Sequence, residues 1–328
     1  MHAQAPDRKQ VARTLSLPLH DMRILVSGAT GFVGRALIAR LERDRHRVVA
    51  WVRSPERAAD VLGTSVATLA MACSNQDLER QLGTCDAIVH LAGEPVIGKR
   101  WTPERKRALI DSRVGLANRL VAAMAKATPP PRVFVSASAV GYYGDRGDEI
   151  LREASPPGTD FLAKLCDDWE LAAEKAHEHG ARVVCLRTGI VLGNEGGALA
   201  PLKKLFRLGL GGNLGSGTQF TSWIALEDLV EIYVRALVDS RMDGAYNATG
   251  PEPATNAKFT RALGKVLHRP TILPAPKFAL RMILGEAASA LLASQRVVPA
   301  RLVESGFEFE HEDVRSALTA ALRPRAVH

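Results

Sequence analysis

The chain has 328 residues, 46% of them hydrophobic and 24% charged, the composition of a folded protein with room for one large domain or for one domain and a smaller partner. Its formal net charge of +8 comes from 43 Lys and Arg against 35 Asp and Glu, spread without a dense basic block or interleaved aromatics. That pattern argues against nucleic acid and for a solvated basic surface with sites for small anions.

The four cysteines, Cys73, Cys85, Cys166 and Cys185, make no CxxC pair and no zinc spacing, so free thiols in a reducing cytoplasm are expected, and no metal. No apolar run reaches ~18 residues, which excludes a membrane span. Residues 1–21 are polar and read as a mobile tail. Arg13 and Ser16 would fit a targeting peptide, but an apolar core is missing and Asp7 and Asp21 count against a mitochondrial one.

From Arg23 onward, short apolar runs alternate with helical patterns. Strands are expected at 23–28, 47–52, 66–71, 86–92, 132–138 and 182–188, and helices at about 32–44, 103–127 and 160–179. Strands this continuously apolar are buried on both faces, so the alternation predicts a doubly wound α/β fold of Rossmann type, with a parallel sheet. After residue 195 the texture changes. A Gly-rich stretch (209–219) precedes a helix near 226–238, a strand at 244–250 and helices at about 255–267 and 276–294, the last amphipathic and interrupted by Arg281 and Glu286. The expected domains are thus a dinucleotide-binding unit at 22–195 and a smaller α/β substrate lobe at 196–328, with late strands free to return to the main sheet.

SGATGFVG (27–34) follows the first strand and opens a helix, the setting of the dinucleotide fingerprint. Gly28 permits the tight turn, Gly31 lets backbone approach a pyrophosphate, and Gly34 lets the helix lie close on the sheet. Gly28, Thr30, Gly31, Phe32, Val33 and Gly34 form the first cofactor-binding segment. At the end of the second strand, where an acid would hold a ribose 2′-hydroxyl, stand Arg53 and Ser54. A guanidinium and a hydroxyl suit a 2′-phosphate, so NADP(H) is expected over NAD(H).

The three-glycine spacing, DAIVHLAG (86–93), VFVSASAVGYYG (133–144), LRTGIVLG (186–193) and GSGTQFTSWIALEDL (215–229) resemble the extended short-chain dehydrogenase/reductase superfamily. SASAVGYYG, FLAKLCDDWE, GLGGNLGSGTQ and YNATGPEPATNAKF look like its atypical branch of epimerase-family proteins, sugar-nucleotide-epimerase-like NADP(H) binders that often carry a short extra C-terminal domain. The resemblance implies that Leu91, Ala92 and Gly93 pass along the cofactor and that Thr188, Gly189 and Val191 flank its nicotinamide. Arg113 falls where the superfamily more often has asparagine and could reach a phosphate.

The superfamily's chemistry uses a serine, a tyrosine and a lysine four residues after the tyrosine. Ser138 matches the serine, with Ser136 as a second candidate and a cofactor contact. The tyrosine slot falls at Phe161 or Leu162 and the lysine slot at Leu165 or Cys166, none of which moves a proton as required. Lys164 stands in neither slot. Tyr142 and Tyr143, expected at the mouth of the cleft, are substitute acids, and Ser138 with Tyr143 form the candidate catalytic pair. Asp160 is expected to cap the helix. Lys99 and Arg100, with the 209–219 loop, could clamp an anionic substrate.

The expected function is an NADP(H)-binding oxidoreductase or epimerase-like protein acting on a small carbonyl or hydroxyl substrate, anionic or nucleotide-linked. The alternative is a non-catalytic NADP(H)-responsive binding protein. Helices 103–127 and 160–179 match those that pair relatives into dimers, which favours a homodimer over a monomer.

Overall fold

The computed structural model describes residues 21–323; apart from Asp21, the expected tail lies outside them. Seven strands form one parallel sheet: β1 (Arg23–Ser27), β2 (Arg47–Val52), β3 (Ala67–Ala70), β4 (Ala87–His90), β5 (Val133–Ala139), β6 (Arg182–Thr188) and β7 (Gly244–Ala248). Their order is β7-β6-β5-β4-β1-β2-β3, and every neighbouring pair is parallel. The order reverses between β1 and β4, which opens a crevice beyond their carboxyl ends, the place where sheets of this kind hold ligands.

Side chains alternate between two layers because successive strand residues point to opposite faces. Ile24, Val26, Val135 and Val184 face one core with α1 (Phe32–Arg43) and α8 (Leu226–Val238). Leu25, Ile88, Phe134 and Val183 face the other, with α3 (Asn75–Leu82), α5 (Leu116–Met124) and α6 (Phe161–Glu174). Helices α2 (Pro55–Leu62) and α3 lie where the sequence pattern indicated none; both are short, α2 opening on Pro55 and α3 capped by Ser74, which accepts from the Asp77 N–H at 3.1 Å.

Two expected helices are corrected. The one at 103–127 is α4 (Pro103–Ile110) and α5 joined by a π turn, Asp111–Gly115. The one at 276–294 stops after α10 (Lys277–Leu284), because Gly285 adopts φ +60°; a 3-10 turn (Gly285–Ala288) and a short helix (Ser289–Leu292) follow. Helix α6 begins as expected, with Asp160 accepting from the Ala163 N–H at 2.9 Å.

β7 and α8 come from beyond residue 195, so the main sheet draws on both sides of the expected boundary. The remaining C-terminal elements pack round Leu192, Trp223, Phe259, Leu263 and Leu318. Among them are α7 (Leu199–Arg207), α9 (Asn256–Leu267) and α12 (Val314–Leu322), while α11 (Ala300–Glu304) packs on the main sheet beside β7 through Leu302. All four cysteines are free. Among the described residues no helix is long and apolar enough to cross a membrane.

Phe134, fully buried at the centre of the sheet, gives the simplest test of this packing. Phe134→Ala should cost about 3–5 kcal/mol, read as a lower urea midpoint with an unchanged slope.

Candidate functional site

The crevice is built first by glycines. Gly28 ends β1 with φ +69°, and a Cβ there would lie 2.7 Å from the Leu91 carbonyl carbon. A Cβ on Gly34 would lie 2.3 Å from the Gly28 oxygen, so only glycine lets α1 sit this close to the strand. Gly31 caps α1 with no side-chain bond to the first turn, and that turn carries no acid. Its N–H groups and the helix dipole are thus left for an anion. Thr30 and Gly31 are exposed at the tip, and Val33 packs on the core. The Phe32 ring lies against Gly193, Gly196 and Gly197, where added Cβ atoms would meet it at 2.5, 2.6 and 3.2 Å.

Beneath this cradle lies His90, which the sequence analysis passed over. Its Nε2 is 3.2 Å from the Arg113 carbonyl, which can only accept, so Nε2 carries the hydrogen and Nδ1 accepts from Ser27 Oγ at 2.7 Å. Ser27 Oγ in turn accepts from the Ala92 N–H at 3.3 Å. The chain of bonds fixes the 91–93 loop over the crevice. Burial pushes the His90 imidazole down to about 4.

Arg113 braces the same loop from the π turn. Its Nη2 donates to the Glu94 carbonyl at 2.9 Å and Nη1 to the Leu109 carbonyl at 3.3 Å, with its guanidinium 5.3 Å from the Trp169 ring. A Cβ on Gly93 would be 2.9 Å from the guanidinium carbon. Bonds to the Glu94 and Leu109 carbonyls and to Ser112 Oγ thus hold Arg113, expected to reach a phosphate, under the loop.

Arg53 stands at the end of β2, 84% exposed, 3.3 Å from Glu94. Glu94 also meets Arg105 at 3.1 Å, and that guanidinium holds its carboxyl below the usual range. Ser54 Oγ donates to Glu56 at 3.0 Å. Arg53 is free to turn to another anion at little cost, since an exposed pair of this kind contributes about 0–1 kcal/mol.

The other end of the crevice departs most from expectation. Ser138 Oγ donates to Glu170 Oε1 at 2.6 Å, so its one hydrogen is committed to a buried carboxylate. Arg187 holds both Glu170 oxygens, Nε at 2.9 Å from Oε1 and Nη2 at 2.7 Å from Oε2. Arg187 Nη1 donates to Tyr143 Oη at 3.0 Å, and Tyr143 donates to Asn247 Oδ1 at 2.6 Å. The two tyrosines are therefore not at the cleft mouth: Tyr142 is 8% exposed, under the Arg187 guanidinium, and Tyr143 is fully buried. Burial pushes the Tyr143 phenol up to about 12. Ser136 is corrected too, being fully buried with its hydroxyl on the Ala137 carbonyl at 3.0 Å.

Thr188 Oγ1 donates to the Leu186 carbonyl at 3.1 Å. Gly189 runs so close to the 190–192/223–225 strand pair that a Cβ would be 2.7 Å from the Ser222 oxygen. Val191 lies in that pair opposite Ile224.

Two side chains of α6 face the segment after Ser138. Leu162 Cβ and Cys166 Sγ stand 3.5 and 3.7 Å from where a Cβ on Gly141 would be, so Leu162 and Cys166 face the Val140–Tyr143 turn. Phe161 and Leu165 pack with Trp101, Leu109, Leu284 and Ala287, a cluster that Leu162 also touches. Cys166 is buried, its thiol pushed up to about 12 by desolvation, and Lys164 is exposed.

Arg100 donates to the carbonyls of Ile283, at 3.0 Å, and Met282, and Lys106 pairs with Glu286 at 2.7 Å. The loop expected to clamp a substrate is thus tied to the C-terminal segment. The 209–219 stretch is a tight irregular turn, Gly215 N–H donating to the Ala275 carbonyl at 2.8 Å.

Residues 24–248 match the NAD dependent epimerase/dehydratase family. The chain belongs to that family. A second match, to a domain of unknown function (DUF1731), covers 275–321, the segment beginning just before α10. The epimerase family protein SDR39U1 homolog, chloroplastic, of Arabidopsis thaliana is 40% identical over 305 residues, 92% of this chain and 87% of that protein. Human epimerase family protein SDR39U1, crystallised with NADPH, superposes with a TM-score of 0.82 at 34% identity, covering 92% of this chain and 99% of that one. UDP-N-acetylglucosamine 4-epimerase from Bacillus cereus, at 17% identity and a TM-score of 0.72, shares the fold.

His90 supplies a pH test. Unfolded, an imidazole takes a proton near 6.5; folded, it holds off until about 4, so the unfolded state binds more protons in between. Stability should fall by roughly 3 kcal/mol as pH drops through that window. His90→Gln should flatten this part of the stability–pH curve, measured by urea unfolding at a series of pH values.

Proposed function

We propose that this chain binds NADP(H) and acts as an NADP(H)-responsive binding protein, with no turnover of the Tyr/Lys type. The NADPH-bound human relative, the side-chain-free cradle of Gly28, Gly31 and Gly34, and Arg53 at the end of β2 support the cofactor. Gly28 to Gly34 would hold the pyrophosphate, Arg53 and Ser54 the 2′-phosphate, and Leu91 to Gly93 the ribose side. When bound, the cofactor supplies a hydride at its nicotinamide. Carbonyl or alcohol chemistry also needs a group that moves a proton.

The carrying observation is that Leu162 and Cys166 occupy the face of α6 turned to the segment after Ser138, the face on which we place the superfamily's tyrosine and lysine. The substitutes are engaged elsewhere, Ser138 on Glu170 and Tyr143 on Asn247.

A second reading rests on the Ser138–Glu170 bond. Ser138 Oγ can accept a proton from a substrate hydroxyl while passing its own to Glu170 Oε1, which would make the chain an oxidoreductase or epimerase for a small, anionic or nucleotide-linked, hydroxyl or carbonyl compound. Lys99 beside the crevice suits such a charge. A cytoplasmic location and a homodimer are part of either reading, the dimer using the groove between α5 and α6 where Leu171 is 51% exposed.

Calorimetry should find NADPH bound more tightly than NADH, and Arg53→Asp should reverse that order, at a cost of ~1.5–3 kcal/mol in NADPH binding. Equal affinities in the wild type would remove the NADP assignment. A screen of carbonyl compounds and sugar nucleotides should give no turnover. If turnover is found and Ser138→Ala lowers it about 10²-fold with NADPH affinity unchanged, the second reading stands instead. Light scattering should give twice the 35.4 kDa of one chain; the single mass would discard the dimer.

A further inference from the structure

We infer that the face carrying α10 adsorbs to the surface of an anionic lipid bilayer. Helix α10, KFALRMIL, has no buried residue. It leans on the protein through half-buried Ala279, Leu280 and Leu284, while Phe278, Met282 and Ile283 stand 69%, 65% and 68% exposed. Residues one turn apart share a helix face, so Phe278 and Met282 form an outward apolar strip, with Lys277 and Arg281, likewise one turn apart and exposed, along it.

The strip continues into a second segment. The Leu273 N–H donates to the Gly211 carbonyl at 3.2 Å, Ala275 to Asn213 at 2.8 Å, and Arg269 Nε to the Arg207 carbonyl at 3.2 Å. This zips 207–213 alongside 269–275 and sets exposed Leu208 and Leu210 next to exposed Ile272 and Leu273. With Leu205, eight of the fourteen exposed large hydrophobic residues among the described ones fall in these two segments, too concentrated for scattered surface apolarity.

Charge decides the occupant. Neither 196–226 nor 253–285 contains an Asp or Glu, and Lys204, Arg207, Arg269, Lys277 and Arg281 are exposed there. A second copy would bring like charges together and be repelled. Bare aliphatic side chains flanked only by Lys and Arg are the pattern of helices that lie in a headgroup layer, apolar side down and cations on the phosphates. The expectation of no membrane partner rests on the length of apolar runs, a criterion blind to surface adsorption. Because Arg100 ties the 93–106 loop to the end of α10, adsorption would bring that edge of the crevice to the bilayer. The inference does not depend on the cofactor reading.

Co-sedimentation of the full chain with lipid vesicles tests it. The protein should pellet with vesicles mixing phosphatidylcholine and phosphatidylglycerol, stay in solution with phosphatidylcholine alone, and be released by high salt. Substituting Phe278→Ser, Met282→Ser and Ile283→Ser together, or Lys277→Gln with Arg281→Gln, should weaken binding about tenfold or more, with NADPH affinity and melting temperature unchanged. Should the triple variant lose its melting transition, Met282→Ser alone carries the apolar arm. Equal binding by wild type and folded variants, or equal binding to neutral and anionic vesicles, would overturn the inference. So would failure of the wild type to bind vesicles, whether its light-scattering mass drops in the variants, which assigns the face to a second copy, or stays the same, which leaves it to an acidic protein.

Discussion

Arg187 and Glu170 are 5% and 6% exposed, and each would be an uncompensated buried charge without the other. Removing one partner from such a pair costs about 3–5 kcal/mol, so the elements that carry them must meet in one way. β6 brings Arg187 and α6 brings Glu170, which fixes how that helix lies across the sheet. The pair then recruits its surroundings. Ser138 satisfies Glu170, and Tyr143 and the Glu153 carbonyl satisfy Arg187 Nη1 at 3.0 Å each. Asn247 passes the network on to the Val298 carbonyl at 3.0 Å, and the Glu153 carboxylate accepts from the Asn247 and Arg301 N–H groups at 3.2 Å each. Ser138, Tyr143 and Asn247 thereby join the sheet to the C-terminal segment.

The sheet and the cofactor cradle were legible because their signals are local. Apolar runs separated by helical periods give the strands, and three glycines between a strand and a helix have few other uses. The far end of the crevice was not, because orientation there depends on partners distant in sequence. Nothing beside Ser138 shows that the turn after it drives Tyr143 inward to Asn247, over a hundred positions away. His90 could have been found, since a polar residue in the apolar run DAIVHLA demands buried partners. Gly285 also announced the end of α10. That Leu162 faces the turn after Ser138 is visible only in its approach to Gly141.

The two ends of the crevice thus hold to their family in unequal degree. The phosphate end keeps the glycines, the uncapped helix start and a cation. At the other end Leu162 and Cys166 face the turn after Ser138, while Leu284 and Ala287 of the C-terminal segment pack with Trp101, Leu109 and Phe161 beside them. That segment is therefore part of the wall and no appendage: it covers Trp101, Leu109, Phe161 and Leu165.

The π turn at Asp111–Gly115 has a consequence for variation along the chain. A wider turn lodges one additional residue in a helix without changing what lies before or after it. Helix α4 can therefore keep Leu109 in the cluster round Trp101, and α5 can keep Leu120 and Met124 on the sheet, while Arg113 swings beneath Gly93. Losing one residue here would let α4 and α5 run on as a plain α-helix with Leu109, Leu120 and Met124 still on their faces, and would remove the bulge that places Arg113 beneath Gly93. A single-residue deletion would thus be tolerated by the core and felt at the 91–94 loop.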